Sequence, residues 1–554
     1  MTAERFDVAV IGAGANGLVA SAALGRAGLK VVLLERGDTV GGQGRAVEFA
    51  PGFRAAPLGI DPGWLPERVA RGAGIEPVDR AAADVPLSVM VDGGKILMLS
   101  RHPKRASEAI RAYSAADAAK WAAFTALLRT MAGFLEGLYQ RPAPDVDARS
   151  PSELRPLLGA AWKFRALGRA NMIEFLHTMP LSVWELTDDW FEFAPLKAAV
   201  AAGGIQDYQQ GPRSGGTGFV LLHHLVGAPG GAVRGRVPWR AGPDAFVEAA
   251  EKAARRSGVT VRTGARVSRI GVGDDAVQGV TLESGDEIDA GAILSTADPA
   301  RTLLDWVDPV WLDPEFLLAV RNIRRRACTA FVLYALDRIL DFPGPAPSNA
   351  LAGLVSLTAD LESLERAADC AKYGRVAEKP HIELTVPTIT WPHLAPGGKH
   401  VLVARVQYAP YHLREGDAWD SARRDALADR VTAAIGRVAS GFESRILHRV
   451  AWTPGDLSVR FGLHEGSLTQ GELGLDQILF MRPVAGRGDH TTPIAGLYLG
   501  GSGTHPGPGI LGGPGWLAAR RILADRGRAN RSRGRAKGSG GGAKRNGGRT
   551  KRSR

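Results

Sequence analysis

Cysteine is nearly absent from this chain, which has two in 554 residues, Cys328 and Cys370. That count excludes a disulfide scaffold and, with no CxxC spacing, a dithiol redox centre or a metal knuckle. A reducing compartment and buried structural thiols are expected, so any redox chemistry must come from a bound cofactor. No uninterrupted apolar run of about 18 residues occurs, and the N-terminus lacks a basic segment followed by an apolar stretch. Neither a membrane span nor a signal peptide is predicted. Acidic residues are missing from 526–554, which holds twelve Lys and Arg and thereby accounts for the whole net charge of +12. The body is close to neutral, so a specific nucleic-acid partner is not expected. Large apolar residues are also missing from that tail, which is predicted to be disordered.

What is present is a globular composition, 45% hydrophobic and 23% charged, in a chain too long for one core. Phe6 to Ile11 reads as a short strand. It is followed by Gly12-Ala13-Gly14-Ala15-Asn16-Gly17, by a helix from Leu18 to Ala27 closed by Gly28, and by a second strand, Val31 to Leu34. In this strand–turn–helix context Gly12, Gly14 and Gly17 form a dinucleotide fingerprint. The first glycine allows the tight turn, the second lets the backbone approach a pyrophosphate, and the third allows close helix packing. Glu35 ends the second strand, placed to accept ribose hydroxyls, which favours FAD or NAD over NADP.

From about 79 to 240 the pattern becomes helical and rich in Trp and Phe, with helices expected over Ala106 to Leu135, Ser152 to Arg169 and Met172 to Leu186. Short strands are then expected at Val259 to Ile270, Ala276 to Leu282 and Glu287 to Leu294. Glycine-rich sequence returns from Gly496 to Gly515 before a last helix near Trp516 to Ala524. The predicted architecture is α/β: a Rossmann-like domain assembled from 1–78, 241–305 and 455–525, an inserted α+β substrate domain from 79–240 and 306–454, and a tail from 526.

Two further segments carry a family resemblance. Gly41-Gly42-Gln43-Gly44-Arg45 resembles the second glycine motif of flavin amine oxidases and carotenoid desaturases. Gly496-Leu497-Tyr498-Leu499-Gly500-Gly501-Ser502-Gly503-Thr504-His505-Pro506-Gly507-Pro508-Gly509 is similar to a segment of phytoene desaturase-like flavoproteins, closest to the branch of the pyridine nucleotide-disulfide oxidoreductase domain-containing protein 2 type. Phe461-Gly462-Leu463, Leu475-Asp476-Gln477 and Met481-Arg482-Pro483 resemble the same branch.

The resemblance implies FAD as cofactor. Arg36, Gly41, Gly42 and Arg45 would lie along its adenosine and diphosphate, and Val267 would meet the adenine through its backbone. Gly503, Thr504 and His505 would be the foremost flavin contacts, with Gly509, Ile510 and Leu511 next. His505 is read as a structural hydrogen-bonding residue, and neither a catalytic acid or base nor a metal site is assigned. His223 and His224, adjacent on a helix, point about 100° apart and share no metal face. Two segments depart from the family pattern, Trp239-Arg240-Ala241-Gly242-Pro243-Asp244 and His464 to Gln470, both on the substrate side.

The implied activity is dehydrogenation or desaturation of an apolar, isoprenoid-like substrate by hydride transfer to flavin. The electron acceptor, whether oxygen, a quinone or another carrier, is left open. The alternatives are a flavin amine oxidase, which would place an aromatic pair before the flavin, and a flavin-binding regulatory or assembly protein with an occluded pocket. A cytoplasmic location with peripheral membrane contact is expected, although no clear amphipathic anchor is legible.

Overall fold

The computed structural model describes residues 4–56, 63–81, 83–91, 94–144, 151–234, 237–342, 348–358 and 360–539. Its organising element is a five-stranded parallel sheet in the order Leu497–Leu499, Ile293–Ser295, Val8–Ile11, Val31–Leu34, Thr260–Arg262. Val8 pairs with Val31, Ala9 with Ile293, Leu497 with Ile293 and Val32 with Thr260. Four of the five runs, the edge strand Leu497–Leu499 included, are buried at every residue, as an all-parallel sheet covered on both faces requires. They come from the start, middle and end of the chain, so the nucleotide fold is assembled from discontinuous segments.

Helices Ala15–Arg26 and Gly513–Ser539 cross on one side of this sheet. The crossing is close because Gly515 has no side chain: a Cβ there would overlap the Asn16 carbonyl. Gly17 has the same role one layer down, where a Cβ would overlap the Gly12 carbonyl oxygen. The two helices therefore start side by side at the sheet's carboxyl edge.

Three of the predicted strands are each divided between sheets, the first of them between Arg5–Phe6 and Val8–Ile11. Thr260–Arg262 extends the parallel sheet, whereas Val267–Gly273, beyond the turn at Gly264, joins a four-stranded sheet with Ala276–Leu282, Glu287–Ala290 and Arg5–Phe6. Likewise Glu287–Ala290 belongs to the small sheet and Ile293–Ser295 to the large one.

The inserted domain is built on a seven-stranded mixed sheet, ordered Ile446–Trp452, Thr329–Leu336, His400–Gln407, His381–Thr385, Leu354–Ser356, Leu87–Val91, Lys95–Leu99. The last two correct the reading of 79–240 as helical from its start. Leu87–Val91 finds its partner at Leu354–Ser356, far along the chain, and that pairing ties it into the sheet. Helices follow at Pro103–Arg111 and Ala115–Tyr139, split where the Ser114 hydroxyl accepts from the Asp117 N–H (3.0 Å). Val183–Trp190 starts anew at a Ser182/Glu185 capping box, so Met172 to Leu186 is not one helix.

Helices Pro151–Arg165 and Arg169–Thr178 expose Leu154, Leu158, Trp162, Ile173 and Leu176, five of the eleven exposed large apolar side chains among the described residues. No helix among the described residues is long and apolar enough to cross a membrane.

The last helix corrects the expected disorder of the tail, since it continues through Ser539. Arginine is a good helix former, and Arg526 is tied to the sheet by Asp7 (Nη2 to Oδ1, 2.6 Å). Residues 540–554 lie outside the described residues.

Candidate functional site

A cavity of about 580 Å³ opens at the carboxyl edge of the parallel sheet, where doubly wound folds bind nucleotides. Its wall contains Gly12, Gly14, Glu35, Arg36, Gly41, Gly42, Val267, Gly509, Ile510 and Leu511, ten of the fifteen residues singled out from the sequence.

Helix Ala15–Arg26 enters with Gly14 as N-cap and no side chain capping it, so its first N–H groups face the cavity as an anion site. The Glu35 carboxylate accepts from the Ala13 N–H (2.8 Å) and the Gly37 N–H (3.0 Å), which fixes it at the wall with lone pairs left for hydroxyl donors. Arg36 donates to the Val459 and Arg460 carbonyls (2.8 and 2.9 Å). Burial, together with the nearby Arg266 guanidinium, lowers its pKa. Among the described residues, three buried polar atoms around the cavity have no hydrogen-bond partner: Asn16 Oδ1, Arg45 Nη1 and Arg301 Nε. Unsatisfied buried polar atoms beside an uncapped helix start are what a bound diphosphate and sugar would complete. The residues present fit FAD.

Five of the singled-out residues are not on this wall. Gly17 is a packing residue, as its place in the motif predicts. Arg45 stands behind Gly41, with its Nη1 buried. Gly503, Thr504 and His505, expected to be the foremost flavin contacts, are not on the cavity wall, and their polar groups are taken up within the protein. The Gly503 N–H donates to Gln470 Oε1 (2.9 Å), the Thr504 hydroxyl to the Gly501 carbonyl (2.8 Å), and His505 Nε2 to the Arg141 carbonyl (2.9 Å). Their neighbour Ser502 reaches the cavity instead. Burial takes the His505 imidazole down to about 3, so it is neutral and structural.

The wall also has residues that motif reading missed, including Asn16, Gln43, Thr296, Arg301, Gln470 and Ser502. Thr296 follows strand Ile293–Ser295, and a rule that ligands sit beyond the ends of parallel strands would have found it. Ser502 and the residues flanking Gln470 are held by Arg482, a fully buried arginine with no carboxylate hydrogen-bonded to its guanidinium among the described residues. Its six hydrogen bonds reach five backbone carbonyls: Ser502 (2.9 and 3.1 Å), Thr469 (2.6 Å), Gly471 (3.0 Å), Glu472 (3.1 Å) and Gln477 (3.1 Å). Burial pulls the guanidinium down to about 10, which still leaves it charged at neutral pH.

A second chamber of about 230 Å³ adjoins the first, and Gln43, Leu468, Pro508 and Gly509 line both. Its floor is the seven-stranded sheet. The histidine pair divides between core and chamber: His224 lines the chamber, while His223 is buried. His223 Nε2 donates to the Pro508 carbonyl (2.9 Å), and its Nδ1 is hydrogen-bonded to the Tyr139 hydroxyl (2.8 Å). Of the two segments that depart from the family pattern, Trp239, Pro243 and Gln470 line the first cavity, and Asp244 ties in the glycine turn by accepting from the Ala46 N–H (2.6 Å).

Comparison with known proteins agrees with this geometry. Residues 168–523 match the family described as flavin containing amine oxidoreductase, and residues 10–61 match an NAD(P)-binding Rossmann-like domain. The chain is 31% identical to pyridine nucleotide-disulfide oxidoreductase domain-containing protein 2 of Rattus norvegicus over 94% of both chains. It is 24% identical to one of the subunits of limonene dehydrogenase from Castellaniella defragrans, covering 95% of each, and 24% identical to a lycopene-forming phytoene desaturase of Paracoccus, covering 93% of this chain and 97% of the other. Among solved structures, putrescine oxidase bound to putrescine superposes with a TM-score of 0.57 at 14% identity, covering 95% of this chain and 99% of that one.

Proposed function

As a member of the flavin containing amine oxidoreductase family the chain is an FAD-dependent oxidoreductase, and we propose that it dehydrogenates a carbon–carbon bond in a small lipophilic, isoprenoid-like molecule. The observation that carries this reading is the junction of the two chambers. Gln43, Leu468, Pro508 and Gly509, the residues common to both, include no titratable side chain. A junction without acid or base suits hydride removal, in which the protein supplies position and exclusion of water. FAD, when bound, supplies the two-electron acceptor.

Size narrows the substrate. The second chamber, about 230 Å³, has less than half the volume of the first. Two relatives are named for acting on limonene and on phytoene; the chamber suits a molecule nearer the former in size. The putrescine oxidase likeness brings in amine oxidation; an aromatic pair, Trp239 stacked on Phe246 (5.9 Å), lines the first cavity, and none lines the second chamber. Among the described residues the aromatic carbocycles and indoles on the chamber wall are Phe331, on the sheet floor, and Trp391, whose Nε1 donates to the Trp239 carbonyl (2.8 Å). No ring contact joins them among the described residues. An assembly protein without catalysis would have no open chamber beside the flavin cavity, and here one is present.

Peripheral membrane contact fits the exposed face of Pro151–Arg165 and Arg169–Thr178. Leu158, Trp162, Ile173 and Leu176 lie there with Arg165 and Arg169, a combination suited to an anionic bilayer surface.

The test is anaerobic. Protein that releases FAD on denaturation is mixed with monocyclic and acyclic terpenoids and, separately, with putrescine and benzylamine, while flavin absorbance is followed. Bleaching by a terpenoid and not by the amines is expected. Bleaching by the amines alone overturns the reading.

A further inference from the structure

The floor of the second chamber is graded. Strand register places Phe331, Arg405 and Glu383 in one row across the sheet, and Leu333, Val403 and Thr385 two residues on, in the next row of the same face. The opposite face, with Val332, Tyr334, Ala404 and Leu384, belongs to a separate core. One end of the chamber is therefore polar and the other, with Val403, Val386, Pro387 and Trp391, is apolar.

The polar end is built rather than accidental. Arg234 and Glu383, with side chains 5% and 4% exposed, form an ion pair in which Nη2 donates to Oε2 (2.9 Å), while Nη1 and Oε1 stand 2.7 Å apart without a hydrogen bond. Arg405 is paired with Asp207, and His381 approaches Glu383 from the adjacent strand position (3.4 Å). Arg234, Glu383, Arg405 and Asp207 all line the chamber. Burial alone would raise the Glu383 carboxyl, but the Arg234 guanidinium and the His381 ring outweigh it and hold the group below the usual carboxylate range.

On the chamber wall two guanidinium groups stand against two carboxylates, so the arginine and carboxylate lining is balanced in sign, and His381 lies behind Glu383 outside that wall. An anionic ligand would have to displace a carboxylate from its arginine, and a cation would have to approach two arginines; both carry a desolvation penalty without a free counter-charge. A pure hydrocarbon would bury the ion pairs further from water and return no hydrogen bond. An uncharged oxygen that accepts from a guanidinium N–H meets neither obstacle.

We propose that the substrate of this chamber is a small amphipathic molecule whose uncharged oxygen function docks on the Arg234–Glu383 and Arg405–Asp207 pairs, while its apolar part extends to the junction at Gln43 and Gly509. This rests on the dehydrogenase reading and adds to it what selects the substrate.

The experiment uses FAD-loaded full-length protein and isothermal calorimetry with four probes that share one ring: cyclohexanol, cyclohexane, cyclohexanecarboxylate and cyclohexylamine. Cyclohexanol is expected to bind at least tenfold more tightly than each of the others. In Arg234→Met/Glu383→Leu, where the pair is replaced by apolar groups of similar size, the preference for cyclohexanol over cyclohexane is expected to fall below about threefold. Glu383→Gln leaves Arg234 without its counter-charge, so cyclohexanecarboxylate is expected to gain at least tenfold. Equal or tighter binding of carboxylate or amine by the unaltered protein, no binding of any probe, or an unchanged carboxylate affinity in Glu383→Gln overturns the proposal. FAD content and reducibility, read from the absorption spectrum of the same samples, separate the two readings. Their loss removes the oxidoreductase reading, whereas reducible flavin without the alcohol preference removes only this inference.

Discussion

Arg482→Lys is the substitution that most directly tests how the flavin wall is held. Arg482 joins Ser502 to the loop Thr469–Gln477 through six hydrogen bonds to five carbonyls, and Gln470 and Ser502 are wall residues. A lysine offers three donors from a single point, so at least two of the five carbonyls lose their partner. At about 1–3 kcal/mol for each buried group left unsatisfied, the loss is about 2–6 kcal/mol, a large part of a typical total of about 5–15 kcal/mol. Arg482→Met removes all six bonds and relieves only the desolvation of the charge, about 3 kcal/mol for the displacement of the guanidinium to about 10. It is expected not to accumulate as folded protein. For the lysine variant the assay is thermal unfolding followed by flavin fluorescence, together with the FAD-to-protein ratio after gel filtration. With about 2.1 cal/mol/K of unfolding entropy per residue over 554 residues, a fall in Tm of about 2–5 °C, with partial loss of FAD, is expected. A Tm within about 1 °C of the unaltered protein at full FAD occupancy would refute the view that these six bonds carry the wall.

The two glycines of the first turn should separate fold from cofactor. At Gly14 an added Cβ meets no protein atom within 4 Å, whereas at Gly17 it overlaps the Gly12 carbonyl oxygen. Gly14→Ala is expected to keep its Tm and lose FAD affinity, and Gly17→Ala to lose about 1–3 kcal/mol of stability even as apoprotein; equal stability of the two variants counts against this. Acid should weaken the fold through His490 and His505, which burial takes to about 4 and about 3. Because each folded-state value lies below the unfolded one near 6.5, the unfolded chain binds more protons, so stability present above about pH 6.5 is lost on acidification. At about pH 5 the loss is about 2 kcal/mol for each histidine, and denaturant unfolding of the parent and His490→Gln at neutral and at mildly acidic pH measures one of the two directly. Co-sedimentation with vesicles of phosphatidylcholine alone and with added phosphatidylglycerol should show binding only to the anionic ones, abolished in Leu158→Ser/Trp162→Ser; a protein that stays in the supernatant of both, or that instead shifts to dimer on gel filtration, overturns the membrane reading.

The cofactor half of this molecule was legible because its information is local. Gly12 to Glu35 encodes a turn, a helix, a strand and an acid within a short stretch of chain, and each element places the next. The failures share one cause. Gly503, Thr504 and His505 follow strand Leu497–Leu499 in the chain, but their direction is set by Gln470, 33 residues earlier, and by Arg141, 364 residues earlier. Leu87–Val91 is held in its sheet by a partner at Leu354–Ser356. The tail's apolar poverty argued for disorder, whereas the helix it continues had already been nucleated by the packed turns from Gly513. Arg234 and Glu383 are 149 residues apart with no pattern connecting them, and sheet register alone puts Arg405 beside Glu383.

The same long-range logic joins the two halves. Pro508 and Gly509 line both chambers, and the Pro508 carbonyl is held by His223, which in turn is held by Tyr139. Tyr139 ends the helix Ala115–Tyr139 and His223 lies on Thr217–His224, both in the inserted domain. The backbone shared by the two chambers is thus positioned from the inserted domain, by hydrogen bonds that run from Tyr139 through His223 to Pro508. Changes in the inserted domain that leave the glycine motifs untouched can therefore move Pro508 and Gly509, and with them the walls of both chambers.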